Sequence, residues 1–270
     1  MFAEPEDRCY LVELRDDVLN ITWNRPEFGN ATPPDSVPGL TQLFRDAQNT
    51  PGVRAILIRG TGKLFCAGAD VGAFHRALAM SFAERRADFA RRLPMLRALV
   101  EAVLGFDRPV IVAMRGSAAG AGLLYPLAAD YVLGDETANF VFAHQRIGLS
   151  PDGGVTALLP QVVGTRMART LVLTAAKVDA DEALRLGLLT KIVPDEALDA
   201  EIEKLAARMA RAPQTAMIHA KRMLTAEGLT LAEMLDAETA GIAECVAVPD
   251  FDEGVTAFME KRAAKFPSAL

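Results

Sequence analysis

A chain of 270 residues that is 51% hydrophobic, 24% charged and 6% aromatic, with 20 Gly and 15 Pro, has the profile of an ordinary folded protein of one large or two modest domains; disorder, collagen and a disulfide scaffold are excluded. Its 35 acidic against 29 basic side chains give a net charge of -6, so the surface as a whole repels phosphate polymers and anionic membranes, and no nucleic-acid or membrane partner is expected. Cys9, Cys66 and Cys245 are too widely spaced for a disulfide framework or zinc cluster, the start MFAEPEDRCY lacks a basic n-region, and no run approaches ~18 apolar residues, which together point to the cytoplasm.

In chain order, YLVEL and VLNITW flank the turn Arg15-Asp16-Asp17 as two strands, Ser36 to Asn49 reads as a helix, and VRAILIRG is a buried strand closed by Gly60. A second cycle opens at PVIVAM, Pro109 to Met114, passes a Gly-rich turn into LLYPLAAD, then YVLG and the short strand NFVF, and reaches the turn Pro151 to Gly154. Repeated β-β-α units predict a layered α/β core. After Ile192-Val193 the strand signal ends. Leu198, Ile202, Leu205 and Met209 make one apolar helical stripe, and Pro194, Pro213 and Pro249 divide an all-helical tail into about three or four helices. The expected organisation is a core over residues 1–208 and a helical oligomerisation region over 209–270.

Some motifs carry no chemistry. Gly60-Thr61-Gly62-Lys63 follows a strand as a phosphate loop would, but Leu57 stands where the first glycine is needed and Leu64 where a Ser/Thr holds magnesium. Gly116-Ser117-Ala118-Ala119-Gly120 lacks the spacing of a hydrolase elbow, and His75, His144 and His219 have no ligand spacing, so no metal is expected. The sequons at Asn20 and Asn30 are read as accidental.

Two small-residue turns stand out, Phe65-Cys66-Ala67-Gly68-Ala69-Asp70 and Gly116-Ser117-Ala118-Ala119-Gly120-Ala121-Gly122, each following a strand and leading into a helix. Amides at a helix start have no partner one turn back, and small side chains let a ligand oxygen approach them. Two such turns on adjacent strands aim two donors at one oxygen.

With these turns in view, the chain resembles the enoyl-CoA hydratase/isomerase (crotonase) superfamily over essentially its whole length. The resemblance is carried by Asn24-Arg25-Pro26 with Asn30-Ala31, FCAGAD, RPVIVAMRGSAAGAG, Asp130, PDGG at 151–154, ALRLGLLTKIV at 183–193 and FMEKR near the C-terminus. It implies a spiral of β-β-α units with a C-terminal helical trimerisation region, a homotrimer or hexamer, and an acyl-CoA thioester substrate with no further cofactor. The thioester oxygen is then held by two backbone amides that stabilise an enolate. These fall on Ala69 and on Ala121, where the family usually has glycine.

The resemblance also places CoA contacts on the backbone around Ala67, Gly68, Asp70 and Gly120, on Arg25, and on Lys261 reaching from a neighbouring subunit. Glu27 stands where a basic residue usually meets a CoA phosphate. Leu78, Phe82, Leu124 and Phe142 are expected to build the acyl pocket. Arg76, Arg85, Arg86, Arg91, Arg92 and Arg97 against Glu84 and Asp88 read either as a solvated helix face or as an attractor of CoA phosphates.

Hydration of a 2-enoyl thioester needs water activated and a proton delivered, and the hydratases of this family use two glutamates, whose positions here hold Leu124 and His144. Asp152 matches the single acid/base carboxylate of the family's 3-enoyl to 2-enoyl isomerases. Double-bond isomerisation is accordingly the expected reaction. The alternatives are a catalytically degenerate acyl-CoA binder and an atypical hydratase using His144. Asp152 also reads as an N-cap of the helix TALLPQVV, and His144 as a pocket wall beside Phe140 and Phe142. A nucleophilic Asp152, as in halide-displacing members, lacks the accompanying His and Trp; Arg97 and His144 stand there instead.

Overall fold

The computed structural model describes residues 2, 4–6 and 8–269. Its elements are β1 (Tyr10–Arg15), β2 (Val18–Trp23), α1 (Val37–Gln48), β3 (Ala55–Gly60), α2 (Val71–Ala77), α3 (Phe82–Leu104), β4 (Val110–Met114), β5 (Ser117–Ala119), α4 (Leu124–Ala128), β6 (Tyr131–Gly134) and β7 (Asn139–Val141). Then follow α5 (Val155–Val163), α6 (Thr165–Leu173), β8 (Lys177–Val178), α7 (Ala180–Arg185), β9 (Lys191–Ile192), α8 (Asp195–Ala210), α9 (Gln214–Thr225), α10 (Leu231–Cys245) and α11 (Pro249–Met259).

The hairpin β1-β2 closes through Asp16 and Asp17, both at positive φ (51° and 62°), the conformation a two-residue turn needs to match strand twist. From β2 onward the six-stranded sheet, order β1-β2-β3-β4-β6-β9, is parallel, and its central strands are buried on both faces. Alternation sorts the side chains. Ile56, Ile58, Val110 and Val112 join the main core, while Ala55, Leu57, Ile111 and Ala113 face a second cluster closed by Leu198, Ile202, Ala206 and Met209 of α8. The apolar stripe read at 198–209 therefore covers the outer face of the sheet.

The sequence reading takes Gly116 to Gly122 as one turn, but Ser117–Ala119 forms β5 of a second sheet, order β5-β7-β8. Pairing with β7 makes a strand of a segment too short and small to signal one. Asn20 and Asn30 are buried, which agrees with sequons that are accidental.

In the tail, Pro194 and Pro213 precede α8 and α9 and Pro249 opens α11, while α10 starts at Thr230 through a reciprocal pair with Glu233. Lys221 donates to the Asp130 carboxylate and the Arg108 carbonyl (2.7 and 2.9 Å), and Arg222 pairs with Asp107, so α9 is tied to the core. Beyond those ties, α9, α10 and α11 leave Leu224, Leu231, Ile242, Phe258 and Met259 exposed. Among the described residues no helix is long and apolar enough to cross a membrane.

Candidate active site

The two small-residue turns are bound edge to edge. Cys66 donates its N–H to the Ser117 carbonyl (3.0 Å) and accepts from Ala119 N (2.9 Å), an isolated parallel bridge. Ala69 and Ala121 each lie three residues beyond the bridged Cys66 and Ala118, so the two turns deliver them side by side. Gly68 has φ +87°, and a Cβ there would come within 2.5 Å of the Ala119 carbonyl and 3.0 Å of Ala121 N. Only glycine allows this approach. Neither the Ala69 nor the Ala121 N–H takes part in the turn and cap hydrogen bonds of the described residues. Ala121, second residue of the short turn Gly120–Leu123, has no acceptor one turn back.

A cavity of about 860 Å³ opens at these amides. Ala69, Gly68 and Ala121 line it, as do Leu124 and Asp152, and its apolar walls include Phe74, Phe89, Leu96 and Leu99. The Pro151–Gly154 turn packs on the second amide: a Cβ on Gly153 would lie 3.3 Å from Ala121 Cα. Asp152 is thereby placed next to Ala121.

Asp152 does not cap the following helix. Gly154 occupies the cap of α5 in a left-handed conformation with no side-chain cap bond, and the Asp152 carboxylate instead lies with Oδ1 3.0 Å from His144 Nε2. His144 is buried and its ring is the inner neighbour of a half-buried carboxylate that faces the cavity. It stands behind Asp152 and does not line the cavity. Leu124 is buried in the wall where a second carboxylate would stand, so Asp152 and Asp35 are the lining carboxylates.

Other expected residues fall elsewhere. Arg25 donates to the Ala31 carbonyl (3.1 Å), lies 3.6 Å from Asp70 Oδ2 and stacks on Phe28, and Asp70 also accepts from Gly72 N at the start of α2 (2.8 Å). Both side chains brace the Ala69 turn from outside the cavity, and Ala67 and Gly120 are likewise not in its lining. Asn30 completes the brace, accepting from Arg25 N and donating to the Thr61 and Leu64 carbonyls.

Phe142, expected in the acyl pocket, is fully buried in the core instead, because strand alternation puts it on the same side as Phe140. Leu78 and Phe82 are exposed outside the cavity, with Arg85 stacked over the Phe82 ring. Lys261 is exposed beyond α11 at φ +55°, and its neighbour Arg262 is committed to Glu253 and Glu260. Cys66 sits in the first turn with Sγ on the Asn30 carbonyl, and burial pushes its thiol up to about 11, which suits a packing role.

The arginine cluster divides. Arg85 caps the α2–α3 turn by donating to the carbonyls of Ala77, Leu78 and Met80, and Arg97 pairs with Glu101 on the surface. Arg76, Arg91 and Arg92 line the cavity.

Comparison with known proteins gives a consistent result. Residues 13–269 match the family described as enoyl-CoA hydratase/isomerase. The crotonyl-CoA hydratase of Syntrophomonas wolfei is 32% identical over 263 residues, covering 96% of this chain and 97% of that protein. The 1,2-epoxyphenylacetyl-CoA isomerase of Escherichia coli is 31% identical over 265 residues, covering 95% and 97%. A crystal structure from Streptomyces coelicolor A3(2) superposes with a TM-score of 0.90 at 34% identity, covering 98% of this chain and 96% of that one.

Proposed function

Since the chain belongs to the enoyl-CoA hydratase/isomerase family, an acyl-CoA thioester family of crotonase fold, we propose that it moves the double bond of a 3-enoyl-CoA to the 2-position. The observation that carries this reading is the Asp152 carboxylate, facing the cavity beside the Ala121 amide with its other oxygen on buried His144.

The thioester oxygen accepts hydrogen bonds from Ala69 and Ala121 N–H. Asp152 takes a proton from C2, and the C–H electron pair forms a C1–C2 double bond as the C1–O double bond breaks, so the charge rests on the thioester oxygen of a dienolate with C3–C4 still double; Asp152 then returns the proton to C4, the C3–C4 double bond breaking as the C2–C3 double bond forms and the thioester carbonyl is restored. Each amide in such a hole typically lowers the barrier by about 3 kcal/mol, and a positioned base contributes roughly 10²- to 10⁴-fold. One carboxylate suffices because the same proton leaves and returns.

The backbone of Ala67, Gly68 and Gly120 shapes the pantetheine path. Arg25 and Asp70 hold that path rigid, and Lys261 serves a CoA bound in the neighbouring copy of a homotrimer or hexamer. The protein works in the cytoplasm with CoA as the only cofactor-like group, as part of its substrate.

A second reading, hydration of a 2-enoyl-CoA with the His144–Asp152 pair activating water, is favoured by the hydratase relative and by the same 3.0 Å contact. Turnover of purified protein on 2-enoyl-, 3-enoyl- and aryl-CoA thioesters, 1,2-epoxyphenylacetyl-CoA included, tests both. Conversion of 3-enoyl-CoA without hydration is the expected result. Hydration alone replaces this reading with the second, and binding without turnover of any substrate leaves a degenerate binder.

A further inference from the structure

The two amide-bearing segments meet through the backbone bridge of Cys66 and Ala118, and a second connection between them is made by side chains. The turn Gly120–Leu123, which carries Ala121, passes without a break into α4, and Tyr125 lies one helical turn beyond Ala121. Tyr125 is buried yet lines the cavity, and the proton transfer described above gives its hydroxyl no task. Its ring packs on Trp23 of β2, 4.7 Å between centroids, and Trp23 in turn meets Tyr10 edge to face at 6.3 Å. The phenol is held by this stack with its oxygen on the Thr32 side chain.

Thr32 belongs to the other segment. It pairs with Ala69 in an isolated parallel bridge, its N–H donating to the Gly68 carbonyl at 2.8 Å. Its hydroxyl also meets the Cys66 thiol. Counting protons fixes the direction of these bonds. Burial pushes both the Cys66 thiol and the Tyr125 phenol upward, so each keeps its proton at neutral pH. The thiol donates to the Asn30 carbonyl (3.4 Å), so the Cys66 sulfur accepts from Thr32. A threonine hydroxyl has one proton, and with that proton on sulfur its oxygen accepts from Tyr125. The chain of bonds thus runs from Tyr125 through Thr32 and Cys66 to the Asn30 carbonyl, and each donor in it has an acceptor.

We propose that Tyr125 and Thr32 are positioning residues, whose hydrogen bond sets the separation of the Ala69 and Ala121 amides so that both aim at one thioester oxygen. The bond joins the helix that follows the second amide to the residue bridged across the first. A misplacement of about 1 Å costs on the order of 10²-fold in rate, so a tie between the two donors has a measurable effect. This rests on reading the two amides as donors to the thioester oxygen, and it leaves open which reaction they serve.

The thioester carbonyl reports on the amides without turnover. Infrared difference spectra of octanoyl-CoA labelled with carbon-13 at the carbonyl, bound to the intact protein, give a stretch that two converging donors move to lower wavenumber. In Tyr125→Phe and in Thr32→Val roughly half of the wild-type displacement should be lost while affinity stays within about twofold, and Thr32→Ser should keep most of it. The double variant should lose no more than either single one, because both remove the same bond. For 3-enoyl-CoA, kcat should fall about tenfold with KM within about twofold. Leu171→Ala, a core truncation in α6, controls for general loosening: the melting temperature falls and the carbonyl stretch stays in place.

An unchanged carbonyl stretch in Tyr125→Phe and Thr32→Val overturns the proposal. So does an equal loss in Leu171→Ala, or additive losses in the double variant. Should Tyr125→Phe not fold, Thr32→Val and Thr32→Ser decide alone. A wild-type carbonyl stretch equal to that of the free thioester removes the amide pair and the tie with it. Loss of the displacement in Tyr125→Phe, in a protein whose wild type does not isomerise, leaves the tie standing while the isomerase reading falls.

Discussion

His144 Nε2 lies 3.0 Å from Asp152 Oδ1, with the imidazole buried and the carboxylate open to the cavity on its other side. The ring fixes one oxygen and leaves the other for substrate, the arrangement of an orienting residue behind a base. On this account His144→Ala lowers 3-enoyl-CoA turnover within about tenfold, because Asp152 loses its anchor but keeps its place in the turn. His144→Gln, which retains a donor, should recover most of that loss. Steady-state kinetics on the two variants checks the pair; total loss in His144→Ala would make the imidazole itself the proton carrier.

The amide pair depends on Gly68. Gly68→Ala places a methyl 2.5 Å from the Ala119 carbonyl at a φ of +87°, so the second turn must move and carry Ala121 N with it. A fall in kcat of roughly 10²- to 10³-fold is expected, with the fold retained by circular dichroism. Activity near wild type would show that the Ala121 amide is not a donor in the reaction.

Much of this architecture is written in local signals. The Asp16-Asp17 turn, the buried run of β3 and the prolines at 194, 213 and 249 each act through backbone preference or alternation, which a sequence displays directly. Ala69, Ala121 and Asp152 were singled out through the resemblance of FCAGAD, SAAGAG and PDGG to the family's motifs, and all three line one cavity. Of the cavity wall, Leu124 was legible and the part built by α2 and α3 was not. In α3, FAERRADFARRLPMLRALVEAVL intersperses charged and apolar residues without one clean stripe, so only tertiary packing, on α2 at Phe89 and on α1 and α4 along the helix, selects Phe89, Leu96 and Leu99 over Phe82. Phe142 misled for a related reason, since alternation says that it shares a side with Phe140 but not which side faces ligand. The cap reading of Asp152 failed because Gly154 takes the cap and His144 takes the carboxylate.

The buried Cys66 thiol gives a pH-dependent expectation. Burial pushes it up to about 11, so at pH 8 the reactive thiolate fraction is on the order of 10⁻³, and the enclosed site excludes reagent as well. Peptide mapping after iodoacetamide treatment of native protein at pH 8 should leave Cys66 unmodified. Rapid labelling of Cys66 under native conditions would contradict the packing assigned to the first turn.

Exposed Leu224, Ile242, Phe258 and Met259 on α9 to α11 present more apolar surface than a lone chain normally leaves in water. A trimer or a dimer of trimers is expected by sedimentation at micromolar concentration, and Phe258→Asp should shift it toward smaller species. A wild-type monomer would remove Lys261 from any role at a neighbouring site.

The account turns on Asp152 as the group that moves the proton. Asp152→Asn keeps the shape of the turn and the Ala69 and Ala121 amides while removing the base, so 3-enoyl-CoA isomerisation should fall roughly 10²- to 10⁴-fold with acyl-CoA affinity nearly unchanged. Full isomerase activity in Asp152→Asn would contradict it.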